Sequence, residues 1–479
     1  MLFNSIEFAI FLPIVFFLYW FVAGRSIKGQ NVILLLSSYF FYGWWDWRFL
    51  SLIAFSSTVD YLVGVGLGKI DNEAKRKILL FTSILINIGF LAFFKYLNFF
   101  AENFHNAFAF LGKPIADPIL ISLILPVGIS FYTFQSLSYS IDIYRRKIEP
   151  TNDMIAFFAF VSFFPQLVAG PIERAANLIP QFLNNREFKY EEAKDGVRQI
   201  LWGLFKKIVI ADTCAIYANN IFANYSNFSG STLLLGAIFF AFQIYGDFSG
   251  YSDIAIGASR LFGFNLMRNF AFPYFSRDIA EFWRRWHISL SSWFRDYVYI
   301  PLGGSRGGRL LNARNVFIIF IVSGFWHGAN WTFIAWGALN ALYFLPLLLL
   351  NKNRVNTDTV AEGRFLPNMK EVFQIVLTFS ITLIAWVFFR SESVIQAIDY
   401  VRGIFSMSLF SLPEVYSFDI LLFIPLFLLA EWLQREKQHA LQFDKIILPK
   451  VFRWGIYYVI IMVILFYSGD QKQFIYFQF

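Results

Sequence analysis

Apolar residues recur in long runs from one end of the chain to the other, and polar residues fall between them. A membrane-spanning helix needs about 20 mostly apolar residues. Candidate spans lie near 6–23, 31–47, 50–68, 78–98, 118–142, 198–222, 231–250, 315–350 (room for two), 371–389, 419–433 and 454–468. A further apolar stretch, 155–169, ends at Pro165 and Gly170-Pro171. It reads either as a span or as a re-entrant segment, because irregular backbone at membrane depth must be buried in protein or line a wet cavity. The pattern predicts an all-α polytopic membrane protein with about ten to twelve spans and one or two irregular segments. No internal repeat, heptad array or low-complexity tract divides it, so residues 1–479 read as a single membrane domain.

Composition supports this reading. Of 479 residues, 57% are hydrophobic and 15% charged, against roughly 45–50% and about 25% in soluble proteins. That excludes a disordered chain and argues against a soluble enzyme. Cys214 is the single cysteine, which excludes an internal disulfide framework and a Cys-rich metal site.

The net charge of +8 follows from the excess of Lys and Arg expected in cytoplasmic loops, without a nucleic-acid partner. Segments 24–30, 69–77 and 143–150 carry nine Lys or Arg, whereas the loops between them carry only Arg48 and Lys113. This alternation predicts the first set on the cytoplasmic side and the N-terminus outside. Segments 172–197, 351–370 and 434–453 fit inside, and the uncharged loop 223–230 fits outside. The first residues lack the basic n-region and small-residue cleavage site of a signal peptide. Few cysteines and no organelle signal are compatible with a bacterial inner membrane.

Three stretches carry candidate chemistry. In 276–295, Ile279, Phe282, Trp283, Trp286, Leu290 and Trp293 recur at helical spacing. Arg277, Asp278, Glu281, Arg284, Arg285 and Arg295 are too many charges for a span, so the pattern predicts an amphipathic helix in the interface plane, its arginines on lipid phosphates. His287, with Ser289, Ser291 and Ser292 after it, is more than an anchor requires.

The second stretch, Ser323-Gly324-Phe325-Trp326-His327-Gly328-Ala329-Asn330-Trp331, puts a histidine inside the apolar region 316–350. An ionisable residue at membrane depth is costly and points to function; a buried histidine satisfied by a carbonyl is the competing reading. Gly324 and Gly328 allow another backbone or a substrate to come close. His105 and His439 read as solvated surface residues. A zinc site lacks a third ligand and no H-E-x-x-H spacing occurs, so no metal is expected. A histidine general base suits the sequence better, since neutral imidazole takes a proton from a hydroxyl near pH 7. No G-x-S-x-G elbow is present.

Third, Asp247 and Asp253 end an apolar segment. They are placed to bind a cation, to orient a histidine, or to pair with an arginine or cap a helix. Asp142 and Asp296 raise the same choice. Gly303-Gly304-Ser305-Arg306-Gly307-Gly308 lacks the Lys-Ser/Thr ending of a phosphate cradle.

The run Phe282-Trp283-Arg284-Arg285-Trp286-His287-Ile288-Ser289-Leu290-Ser291-Ser292-Trp293-Phe294-Arg295-Asp296-Tyr297-Val298-Tyr299-Ile300-Pro301-Leu302-Gly303-Gly304, together with Trp326-His327-Gly328, resembles the membrane-bound O-acyltransferase (MBOAT) family in its alginate O-acetyltransferase AlgI-type branch. Supporting stretches are Pro126–Tyr132, Phe164–Ile172, Gly246–Asp253 and the closing Phe474–Phe479. The likeness covers essentially the whole chain.

The resemblance implies re-entrant and interfacial helices around a central tunnel. The interfacial helix and loop at 276–312 would carry His287, and the helical segment 315–350 would carry His327. It implies His327 as the principal catalytic histidine and His287 as the second. Trp326, Asn330, Ser289, Arg295, Asp296, Asp247 and Asp253 are candidate substrate-binding residues. The expected donor is cytoplasmic acetyl-CoA, with no bound cofactor. The acceptor is an extracytoplasmic polysaccharide, reached through a partner acetyltransferase protein. Arg306, Arg309 and Arg314 suit CoA phosphates, though positive-inside bias explains them equally. Two alternatives remain: D-alanyl transfer to teichoic acid from a carrier protein, and a proton-coupled transporter using the histidines with Asp247 and Asp253. The inverted repeats common in transporters are not visible.

Overall fold

The computed structural model describes the chain except residues 114, 119, 122, 444–448, 470–473 and 476–479. Among the described residues every regular element is helical. Seven helical runs among the described residues are long and apolar enough to cross a membrane: Ile27–Lys69, Glu73–Phe110, Gly230–Leu261, Gly308–His327, Trp331–Leu349, Met369–Arg390 and Lys450–Tyr467. Shorter apolar helices run over Ile6–Val22 and Met154–Leu167. The protein is an all-α, multi-pass membrane protein.

The count differs from the ten to twelve expected, for local reasons. The run Ile27–Lys69 has 43 residues and breaks at Asp46, whose extended backbone and side-chain bond to the Arg48 N–H start a new turn. Two 20-residue helices result, Ile27–Asp46 and Leu50–Lys69. Within 118–142 the helix begins only after Gly128, at φ 75°. The stretch 198–222 is divided among an amphipathic helix Tyr190–Phe205, a π-turn Lys206–Ala211 and a helix Asp212–Ala223. The helix Phe418–Leu433 has only 16 residues. The 155–169 stretch bends at Phe163 between two short helices, and Phe157–Gly170 is wholly buried. Irregular backbone is tolerated there because protein, not lipid, surrounds it.

The chain forms two compact units, Met1–Lys189 with Ser259–Leu266, and Tyr190–Ala258 with Met267–Phe479. In the first, Phe8, Phe11, Phe41 and Phe164 build a ring cluster with centroids 5.2–6.3 Å apart. A polar knot ties three of its helices: Asp60 accepts from Ser83 Oγ at 2.5 Å and from Asn87 Nδ2 at 2.9 Å, and Ser83 Oγ also bonds Ser140 Oγ at 3.0 Å.

In the second unit, glycines bring helices into backbone contact. A Cβ on Gly203 would lie 2.6 Å from the Gly250 carbonyl oxygen, and one on Gly250 would lie 2.7 Å from that of Gly203. The helices Gly308–His327 and Trp331–Leu349 cross in the same way. A Cβ on Gly324 would collide with the Phe333 carbonyl, and one on Gly337 with that of Phe320. Small residues at a crossing let apolar helices approach closely where the hydrophobic effect does not drive them together. This crossing fixes the last turn of the first helix, where His327 sits.

Candidate active site

The segment 276–295 is not the single interfacial helix its periodicity predicts. It folds as two short helices, Ile279–Arg285 and Ile288–Phe294, with His287 between them in the left-handed region at φ 45°, ψ 54°. Several of its charges are tied within the protein. Glu281, fully buried, takes Arg277 and Arg285 at 3.0 and 2.9 Å. Arg277 also pairs with Asp358 at 3.0 Å. Arg284 donates to the carbonyls of Asn353 and Asn356. The arginines fasten the helix to the neighbouring chain segment. Periodicity reports which face is apolar, but it carries no signal for a positive φ.

The bend is held from outside. Residues 269–271 run beside 285–288, with Ala271 N donating to Arg285 O and Ile288 N to Asn269 O, both at 2.9 Å. The His287 ring is buried against Phe248, centroid to centroid 4.6 Å, with Phe270 and Trp326 at 6.3 Å. Neither ring nitrogen has a hydrogen-bond partner among the described residues. Burial pushes this imidazole down to about 3, so it is neutral at pH 7.

His327 ends its helix, and Gly328 follows in extended conformation. Its ring packs among Trp326 (4.9 Å), Trp336 (5.2 Å) and Phe389 (5.4 Å). Trp326 therefore touches both imidazoles. A second aromatic path leads from Trp336 to Trp386 at 5.9 Å and on to Trp286 at 5.0 Å, the residue before His287. The result is two buried imidazoles in an aromatic wall. Such a wall excludes water and strengthens any hydrogen bond or proton transfer made within it.

The other candidates divide. Asp247 pairs with Lys207 at 2.8 Å and accepts from the Ile475 N–H at 2.6 Å, and its neighbour Phe248 supports His287. Asp253 pairs with Lys206 at 2.5 Å and takes Gln199 Nε2 at 2.8 Å. The partners are lysines rather than arginines. Ser289 Oγ donates to Asn269 Oδ1 at 2.9 Å. Asn330 caps the next helix, accepting from Thr332 N and donating to Glu392 O, both at 3.0 Å. Arg295 is exposed and bonds Asp296 at 2.8 Å.

His439 is not a solvated surface residue. It is buried, with Nε2 3.2 Å from Asp195 Oδ1. His105 is half-buried, 3.6 Å from Asp117. Of the closing motif, only Phe474 and Ile475 lie within the described residues, and Phe474 packs on Phe248 at 5.9 Å.

Sequence reasoning missed Asn269, the wall residues Trp336, Trp386 and Phe389, and the lysines. Lys206 and Lys207, two charges inside an apolar run, were a readable signal. Among the described residues, no group of three or more His, Cys, Asp or Glu is placed to hold a metal ion.

Residues 146–389, which hold both histidines, match the profile of MBOAT, the membrane-bound O-acyltransferase family. The chain belongs to that family and is an O-acyltransferase. It is 40% identical over 419 residues, 87% of this chain and 77% of the relative, to "Probable alginate O-acetylase AlgI" of Pseudomonas syringae pv. tomato. It is 35% identical over 438 residues, 85% of this chain and 80% of the relative, to the peptidoglycan O-acetyltransferase of Helicobacter pylori. A more distant relative is the teichoic acid D-alanyltransferase of Streptococcus thermophilus, 30% identical over 292 residues, 56% of this chain and 69% of the relative.

Proposed function

We propose that the protein moves an acetyl group from cytoplasmic acetyl-CoA across the membrane for O-acetylation of an extracytoplasmic polysaccharide, in a bacterial inner membrane and with its N-terminus outside. The observation that carries this reading is the pair of buried imidazoles, His287 and His327, resting on one indole within the family-matched region. His327 is the general base. It takes the proton of the acceptor hydroxyl as that oxygen attacks the thioester carbonyl; the C–S bond then breaks, and the proton passes to the departing thiolate. The products are an ester and a free thiol. A neutral imidazole takes the hydroxyl proton near pH 7, and the imidazolium it becomes returns that proton to the thiolate. His287, held neutral at pH 7 by its burial, orients donor or acceptor through ring nitrogens that have no partner among the described residues.

Exposed Arg306, Arg309 and Arg314 supply cations for the CoA phosphates. A partner acetyltransferase outside the membrane completes delivery to the glycan. The relatives named for O-acetylation match 85–87% of this chain, against 56% for the D-alanyltransferase, which favours acetyl over D-alanyl transfer.

The test is alkali-releasable acetate on each envelope glycan fraction, from cells with the intact chain and with His327→Ala. Loss of a general base slows transfer by roughly 10²–10⁴-fold, so one fraction loses its acetate and thereby names the acceptor. Full acetate in every fraction, with the variant inserted normally, would overturn the assignment of His327. Competition between acetyl-CoA and a carrier-protein thioester tests the donor.

A further inference from the structure

We propose that Asn269 is a positioning residue for His287 and that its carboxamide N–H is a hydrogen-bond donor to an oxygen of the bound substrate. The inference rests on the acyl-transfer reading for the identity of that oxygen, a carbonyl or hydroxyl. The placement of His287 requires a holder. A non-glycine residue in the left-handed region persists only where its surroundings impose it, and His287 stands there at φ 45°.

Asn269 supplies three of the restraints just after it. Its carbonyl takes the Ile288 N–H at 2.9 Å, and its Oδ1 takes both the Ser289 N–H at 3.3 Å and Ser289 Oγ at 2.9 Å. On the other side of the bend, Ala271 and Arg285 hold each other by the backbone and by Arg285 Nη1 at 3.2 Å. Between these anchors, Phe270 lies against the His287 ring.

The Ser289 N–H can only donate, so it fixes which end of the carboxamide is oxygen. The Nδ2 end is thereby turned to another direction. Asn269 is fully buried, and Nδ2 has no partner among the described residues. The same holds for both nitrogens of the adjacent imidazole. A buried donor left empty costs about as much as a lost hydrogen bond. Buried polar groups are normally hydrogen-bonded, and an oxygen that arrives with the substrate is the partner assigned to this N–H.

The experiment separates the two halves of Asn269. Membrane vesicles carrying the full chain are titrated with labelled acetyl-CoA, and alkali-labile acetate is counted for the intact chain, Asn269→Asp and Asn269→Ala. Asp keeps an oxygen for Ser289 and replaces the N–H by a second acceptor. We expect Asn269→Asp, which keeps an acceptor for Ser289, to melt below the intact protein because its carboxylate is buried, with the maximal rate of its folded fraction down about 100-fold and the pH profile displaced upward by the added carboxylate. Asn269→Ala loses melting temperature as well as rate. An Asp variant with the intact protein's rate and pH profile, or one whose rate falls only with its folded fraction, overturns the inference.

A second readout stands apart from the donor. In full chain labelled with 15N-histidine, with the His287 signal assigned from His287→Asn, Asn269→Asp should raise the His287 titration midpoint. No change there also overturns the inference. If the intact chain transfers no acetate yet the midpoint moves, the acetyl-CoA reading fails and the positioning role stands.

Discussion

At His287 the backbone is as informative as the ring. His, Asn and Asp enter the left-handed region several-fold more often than other non-glycine residues, whereas a β-branched residue there is a genuine outlier. His287→Asn should therefore keep the bend between the two helices, and His287→Val should not. We expect the Val variant to be less stable than the Asn variant by about 1–3 kcal/mol, the usual cost of such a strained residue. Melting of both variants in detergent measures the gap. Equal melting would mean the bend is not under strain. The sequence pointed to this histidine because an anchor accounts for the Trp and Arg residues around it but does not require His287. It did not show the bend: the apolar positions Ile279 to Trp293 keep a helical period straight through His287, and φ leaves no mark on hydropathy.

Among the helices, the apolar runs were readable wherever lipid or close packing demands them, and unreadable where polar side chains pair inside. The expected pair in 315–350 is present, as the helices ending at His327 and beginning at Trp331. The close approach anticipated at Gly324 is present too. In 198–222 the apolar count hid a π-turn that buries Lys206 and Lys207 against Asp253 and Asp247, a pairing of residues far apart in the chain.

The glycine crossing yields a matched pair of variants. Alanine at 324 meets a backbone carbonyl that cannot rotate away, so the helices must part; overpacking of this kind costs about 1–3 kcal/mol. Because His327 is the helix's last residue, transfer falls with it. Gly455, within Lys450–Tyr467, has nothing within 4 Å of a Cβ, and alanine there should be neutral or stabilise by about 0.5–1 kcal/mol. Melting temperature with alkali-releasable acetate checks both, and an inserted, fully active Gly324→Ala protein would remove the crossing as the reason for His327's place.

For the molecule as a whole, several groups outside the spans make stability depend on pH with one sign. Burial holds the folded His287 imidazole near 3, against about 6.5 unfolded. Between those values the unfolded chain binds a proton that the folded chain does not, so stability is fully present above about pH 6.5 and falls by about 1.4 kcal/mol per pH unit below it. Asp358 is held below the usual carboxylate range by its hydrogen bonds from Arg277, and Glu414 by those from Ser229 and Thr232 at the start of the helix Gly230–Leu261. Their contributions are present above about pH 4 and are lost below it. Both are largely exposed, so solvent screening keeps them small.

The acid limb of the melting curve should therefore have two parts. The first, from about pH 6.5 to 4, belongs to His287; the second, below about 4, to the carboxylates. His287→Asn should melt lower than the intact protein at pH 8, yet stay level down to about pH 5, where the intact protein is already losing stability. Melting temperatures of the two proteins from pH 8 to 4 decide it. Parallel curves would mean that the imidazole titrates alike in both states, and that water reaches His287 in the folded protein.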